Sequence, residues 1–162
     1  MEKREGAALF TALYPSWCHS AVAAISLCLL AQAYAPASRV VCLFGDLDIT
    51  VDLLVQVDQL VQLLETPVFT HLRLQLLEPG QHPALLKTLY GLLLLLPQSS
   101  AWATLSARLQ CVPTLHMLQP HADGAAAGSA APPFSANGAD LVATFRAVQE
   151  RRLRSAAAAP SH

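Results

Sequence analysis

Leucine, valine and alanine recur at three- and four-residue spacing along most of the chain ahead of Pro113, the period of helices that bury one face. Val22, Ile25, Leu29 and Ala33 follow Ser16 and Ser20, either of which suits a helix cap, and predict a first helix over 17–34. Pro36 restarts the chain, and a short helix over 37–44 ends where Gly45 can take the left-handed conformation after a helix end. Residues 46–53 alternate polar and apolar as a strand would. Beyond them Asp52, Gln56 and Gln59 fall on one helical stripe with Leu53, Leu54, Val57, Leu60, Val61 and Leu64 around it, so a single helix over 50–65 capped by Thr50 or Asp48 accounts for more of the pattern.

Thr66-Pro67 opens the next helix, with Phe69, Leu72 and Leu76 on one face and His71, Gln75 and Glu78 on another, and it stops before Pro79-Gly80. His82-Pro83 opens a leucine-rich helix that Pro97 closes. Ser99 or Ser100 caps a further one, where Trp102, Leu105 and Leu109 share a face. Taken in pairs, the helices start near 17 and 37, 50 and 67, and 83 and 100, a repeat of about 33 residues, which is the scale of a helical hairpin.

The expected fold is therefore all-α: a HEAT-like helical-hairpin solenoid fragment of about three pairs over 13–118, plus a separate C-terminal helix. Residues 1–12 read as an N-terminal segment, with neighbouring repeats absent ahead of it because neither end of the stack carries a polar cap. Residues 119–136 are rich in Gly, Ala, Ser and Pro and read as a linker. Asn137 caps an amphipathic helix over 137–154, with Leu141, Phe145 and Val148 on one face and Arg146, Arg151, Arg152 and Arg154 towards its end, and 155–162 reads as a disordered tail.

Composition sharpens this picture. Hydrophobic residues make up 54% and charged residues 13%, an apolar excess that one small core does not absorb, so a partner surface is expected. The formal net charge of −1 offers no field for nucleic acid or an anionic membrane surface. Residues 21–35 and 89–96 are strongly apolar, but neither reaches the roughly 18 residues that span a bilayer. The first run, after Lys3 and Arg4 and ending near Ala31-Gln32-Ala33, has the outline of a secretory signal. A small secreted or membrane-associated helical protein is the alternative reading. Glu2, Glu5 and the irregular lead-in through Pro15 and Trp17 argue against it.

No constellation for catalysis, metal or cofactor emerges. Asp46, Asp48 and Asp52 lack the glycine and closing glutamate of a calcium loop and read as carboxylates at a helix start. Cys18-His19 lacks a second ligand pair, and adjacent helical residues diverge by about 100°. Cys18, Cys28, Cys42 and Cys111 form no C-x-x-C pair, so a reducing compartment and no cofactor are expected. Trp17, Phe44, Phe69, Tyr90 and Trp102 are the candidate protein-contact residues, since aromatics dominate interface energies, although core packing is the commoner fate of such side chains.

Longer strings carry more information. Leu13-Tyr14-Pro15-Ser16-Trp17-Cys18-His19, Phe44-Gly45-Asp46-Leu47, Phe69-Thr70-His71-Leu72-Arg73-Leu74-Gln75-Leu76-Leu77, Tyr90-Gly91-Leu92-Leu93, Leu95-Leu96-Pro97-Gln98-Ser99-Ser100-Ala101 and Leu105-Ser106-Ala107-Arg108-Leu109-Gln110-Cys111-Val112-Pro113 resemble the C-terminal part of the vacuole-morphology HEAT-repeat scaffold, the Vac-fourteen family. The resemblance runs from about Leu13 to Pro113. Pro15 stands where that family suggests a basic residue.

The resemblance implies a non-catalytic scaffold that controls phosphatidylinositol 3,5-bisphosphate levels. It implies three partners: a Sac-type phosphoinositide phosphatase, a FYVE-type phosphatidylinositol-3-phosphate 5-kinase, and further copies of the chain in a homo-oligomer, a pentamer in the family picture. The implied location is the cytosolic face of endosome, lysosome or vacuole membranes, reached peripherally through partners and without nucleic acid.

Overall fold

The computed structural model describes residues 2–46, 49–112 and 138–158. Among them are eight α-helices and no strand: α1 (Glu2–Trp17), α2 (Ala21–Leu30), α3 (Tyr34–Cys42), α4 (Val51–Leu64), α5 (Thr70–Gln75), α6 (Pro83–Leu95), α7 (Ser100–Gln110) and α8 (Gly138–Ala158). Short 3₁₀ turns at Leu43–Asp46 and Pro67–Phe69 follow α3 and lead into α5. The all-α fold is as expected: α2/α3 and α6/α7 pack as predicted hairpins, and α4 and α5 follow one another in the place of the middle one.

The chain before residue 21 departs from expectation. A helix occupies Glu2–Trp17, and the helix expected over 17–34 is α2 alone, flanked by turns at 18–20 and 31–33. Pro15 suggested an irregular lead-in, yet it sits exposed in the last turn of α1, and the carbonyl its missing N–H would have bonded, on Thr11, lies at the exposed surface where water can reach it. What holds α1 is Phe10 and Tyr14, stacked one turn apart at 5.4 Å and almost wholly buried. The start of α2 belongs to Ser20, whose hydroxyl accepts from the Ala23 N–H at 3.2 Å; Ser16 lies inside α1.

The break after α2 is a Schellman turn. Ala33 N–H reaches the Cys28 carbonyl at 2.8 Å and Gln32 N–H reaches Leu29, with Gln32 at φ 57° in the place glycine usually takes. That conformation costs a non-glycine residue about 1 kcal/mol. The Gln32 side chain is held in return, its Oε1 accepting from Gln75 Nε2 at 3.1 Å.

Helix α3 begins at Tyr34 rather than 37, because Pro36 falls in its first turn where a missing N–H costs nothing. It ends at Cys42 and passes into a 3₁₀ turn that includes Gly45. Thr50 and Ser99 cap α4 and α7 as expected, accepting from Leu53 N–H at 3.2 Å and Trp102 N–H at 3.3 Å. Thr66 makes no such cap; its hydroxyl donates back to the Leu63 carbonyl at 2.7 Å.

The helices stack in two rows, α1, α2, α4 and α7 in one and α3 and α6 in the other, with α3 packed on both α2 and α6. One apolar core runs through both rows, from Phe10 and Ile25 through Val40, Val57 and Phe69 to Leu92 and Leu109. At the crossing of α3 and α6 the backbones come so close that a Cβ on Gly91 would overlap Val41 Cγ1. Residues 21–35 supply part of this core: Ala24, Ile25, Cys28 and Leu29 have no exposed surface. Among the described residues, no helix is long and apolar enough to cross a membrane.

The C-terminal helix is not detached. It packs against α3 and α1, burying Leu141 and Phe145 with Val148 half-buried beside them, and its backbone continues helical to Ala158, past the end expected at 154. The linker assigned to 119–136 and the cap assigned to Asn137 lie outside the described residues.

Candidate interaction surface

Helix α4 is tied to its neighbours by polar side chains, and two of these ties come from the neighbours' caps. Ser20, the cap of α2, donates to Gln56 Oε1 at 2.8 Å, and Ser99, the cap of α7, donates to Asp58 Oδ1 at 3.0 Å. Each hydroxyl accepts from its own helix and donates to α4, using both of its capacities. Asp58 Oδ2 also accepts from Gln62 Nε2 at 2.7 Å.

At the other end of α4, Arg73 donates to the Leu64 and Thr66 carbonyls at 2.6 and 2.7 Å, satisfying acceptors that a helix terminus leaves open and matching its dipole. Glu65, which closes α4, forms an ion pair with Arg108 of α7. The hydrogen bond to Glu65 raises the Arg108 pKa above its ordinary value. A further polar tie joins the start of α3 to α5, where the Tyr34 hydroxyl donates to Gln75 Oε1.

This anchoring holds rigid a face that is unusually apolar for one open to solvent. Val51, Val55 and Leu63 project from the outer side of α4, exposed by 75%, 49% and 40%, between Asp52, Gln56 and Gln59. Val68, Leu74 and Leu77 are likewise exposed on the α5 segment. Seven of the eleven exposed large hydrophobics of the described residues fall between Ile49 and Leu77, so the apolar excess of the sequence is concentrated there rather than spread.

The five aromatics singled out by sequence separate into two groups. Phe44 and Phe69 are core, 1% and 0% exposed, and present no surface. Trp17, Tyr90 and Trp102 are half-buried and packed against the core. They lie on α1, α6 and α7 and do not share one helix face.

The exposed valines and leucines were missed because α4 was read as a polar stripe against an apolar remainder. Val51 and Val55 share an arc with Asp52, Gln56 and Gln59, and that intrusion of β-branched apolar residues into the polar arc was the available signal.

Burial pushes the Cys18 thiol up to about 11 and the Cys28 thiol up to about 12, so both stay protonated and unreactive near neutral pH. Burial likewise raises the Tyr14 hydroxyl beside them. His19, next to Cys18, faces solvent. The described residues bring together no group of three or more His, Cys, Asp or Glu side chains able to hold a metal ion.

Residues 1–112 match the family described as "Vacuolar protein 14 C-terminal Fig4p binding". The chain is 64% identical over 112 residues to Protein VAC14 homolog of Arabidopsis thaliana, covering 68% of this chain and 15% of that protein. It is 55% identical over 106 residues to Protein VAC14 homolog of Schizosaccharomyces pombe, covering 65% and 13%. With Vacuole morphology and inheritance protein 14 of Saccharomyces cerevisiae it shares 46% over 105 residues, covering 65% and 12%. The matched part thus spans only 12–15% of those relatives' length. No solved structure matches.

Proposed function

From the premise that the chain belongs to the Vacuolar protein 14 C-terminal Fig4p-binding family, we propose that it is a non-catalytic scaffold segment that holds a Sac-type phosphoinositide phosphatase. The observation that carries this reading is the coincidence of the family match with α1 to α7 and of the exposed apolar residues with α4 and α5 inside that match. An interface core of this kind needs apolar side chains held in place before binding, because ordering them on contact would cost about 0.5–1.5 kcal/mol for each long side chain. Ser20, Ser99, Arg73 and Glu65 hold α4 before any partner arrives.

In this reading the phosphatase lays apolar side chains over Val51, Val55 and Leu74, and Trp17, Tyr90 and Trp102 serve as edge contacts. The scaffold also helps hold the FYVE-type lipid kinase, self-associates, and works on the cytosolic face of endosome, lysosome or vacuole membranes, together controlling phosphatidylinositol 3,5-bisphosphate. These roles rest on the family and on the apolar surface left over after the core is built.

The test is co-purification. Wild-type chain co-expressed with the phosphatase is expected to retain it, and a Val55→Asp/Leu74→Asp double variant, altered only at exposed positions, is expected to lose it while keeping its helical circular dichroism. Wild-type chain that never retains the phosphatase overturns the reading. Retention by the double variant at wild-type level overturns the assignment of the surface.

A further inference from the structure

Helix α8 lies beyond residue 112, where the family match ends, yet it is seated on two helices of the matched region, α1 and α3. In the two-row stack it takes a defined place. It continues the row of α3 and α6 and leans on α1 as α3 leans on α2. The space it fills is therefore a helix-shaped slot at the open end of that row.

The recognition is specific in chemistry. Leu141, Phe145 and Val148, spaced by four and three residues, present one apolar stripe to α1 and α3. Beyond that stripe Gln149 Nε2 donates to the Cys18 carbonyl at 2.7 Å, and the Arg152 guanidinium donates to the His19 carbonyl. Both acceptors belong to the turn that closes α1, where open carbonyls favour a cation. Beside the seat, Arg39 of α3 and Val142, Arg146 and Glu150 of α8 line a shallow groove open to solvent. The helix is thus held by two buried side chains, one half-buried one and a few polar contacts.

We propose that α8 is a built-in competitor: it fills in cis a slot on the phosphatase-binding region that takes, in trans, an amphipathic helix of the phosphatase with the same apolar spacing and a basic or amide end. This rests on the reading of the chain as a phosphatase scaffold and adds a second contact, alongside the α4–α5 face, that is closed until α8 leaves. Because α8 is part of the same chain, its effective concentration at the slot is on the order of millimolar, so it excludes a weak partner helix and yields to one anchored elsewhere on the scaffold.

The experiment measures the affinity of the full chain for the phosphatase in four forms: wild type, Phe145→Asp, which unseats α8, Leu153→Asp, which alters an α8 side chain 66% exposed, and Val55→Asp/Leu74→Asp. Phe145→Asp is expected to bind about tenfold tighter than wild type, the gain if α8 is seated about nine-tenths of the time. A synthetic peptide of residues 138–158 added in trans is expected to reverse that gain, and Leu153→Asp to match wild type. Equal or weaker binding by a folded Phe145→Asp overturns the proposal while leaving the scaffold reading intact. Absence of binding in every form overturns both.

Should Phe145→Asp not fold, a full chain carrying a protease site within 113–137 is cut after purification. Separation of α8 on dilution, with tighter phosphatase binding by the remainder, supports the competitor. An α8 that leaves only when the rest unfolds overturns it.

Discussion

Replacing Gly91 by alanine puts two effects of opposite sign at one position, and the structure decides between them. Gly91 lies inside α6, where alanine is favoured over glycine by about 1 kcal/mol through backbone entropy. The added Cβ, however, would overlap Val41 Cγ1 on α3. Val41 is 7% exposed, and a valine in a helix is confined almost entirely to one rotamer, so the methyl cannot swing aside. The two helices must part instead, along the crossing that packs Leu89 and Leu92. Overpacking of this kind costs about 1–3 kcal/mol, which exceeds the helix gain over most of its range.

A net loss of about 1 kcal/mol is expected, seen in urea denaturation followed by circular dichroism as a midpoint lowered by roughly 0.5–1 M at an unchanged slope. The control is Val41→Ala. In that background the obstructing methyl is gone, and Gly91→Ala is expected to change sign and stabilise by up to about 1 kcal/mol. Gly91→Ala that is neutral or stabilising in the wild-type background, or unaffected by Val41→Ala, would refute the close approach of α3 and α6.

Three further outcomes are expected. At pH 8 the exposed Cys42 and Cys111 react with a disulfide reagent in the native chain, while Cys18 and Cys28 react only after denaturation; rapid native labelling of Cys28 would contradict its burial. The folded pKa values of Cys18 and Cys28 are raised above the ordinary 9.0 to about 11 and 12. The unfolded chain therefore loses these protons first, and stability that is intact below pH 9 falls between about pH 9 and 12, by about 1.4 kcal/mol per pH unit for each thiol ionised only when unfolded; a stability that rises across that window in urea titrations has the wrong sign. Phe69→Ala is expected to lose about 3–5 kcal/mol, whereas Glu65→Gln, at a partly exposed ion pair, loses at most about 1 kcal/mol and nothing measurable in 1 M salt; comparable losses from the two would mean the core is wrongly placed.

Much of the fold was legible because local signals agreed with the tertiary arrangement. Thr50 and Ser99 announced their helices by cap chemistry, and Phe69, Leu72 and Leu76 announced a buried face by spacing; the structure uses each in that role. Where the reading failed, a local rule was outweighed by packing. Pro15 made the stretch ahead of the apolar run read as an irregular lead-in, but at an exposed last turn it removes only one bond, and the burial of Phe10 and Tyr14 outweighs that loss. The helix expected over 17–34 contains two turns, and the second was hidden because Gln32 gives no glycine signal for its left-handed conformation and is kept there by Gln75, distant in sequence.

The interaction surface was less legible than the fold. Aromatic residues were the natural candidates, yet Phe44 and Phe69 are consumed by the core, and the exposed apolar area belongs to valines and leucines that composition counts as core formers. An outward valine and an inward one look alike in a chain this rich in aliphatics; only the neighbours of α4, through Ser20, Ser99 and Arg108, settle which way the helix faces. The seating of α8 on α1 and α3 likewise depends on contacts between segments more than a hundred positions apart, which no local pattern encodes.

The proposed function makes the exposed apolar residues of α4 and α5 the landing place of the phosphatase. Titration calorimetry of purified phosphatase into the wild-type chain and into Val55→Asp/Leu74→Asp measures this directly. A saturable heat with wild type, weakened at least thirtyfold by the two substitutions (about 2 kcal/mol, the scale of an interface hot spot), is the expected result. Indistinguishable affinities, with both chains fully helical, would contradict it.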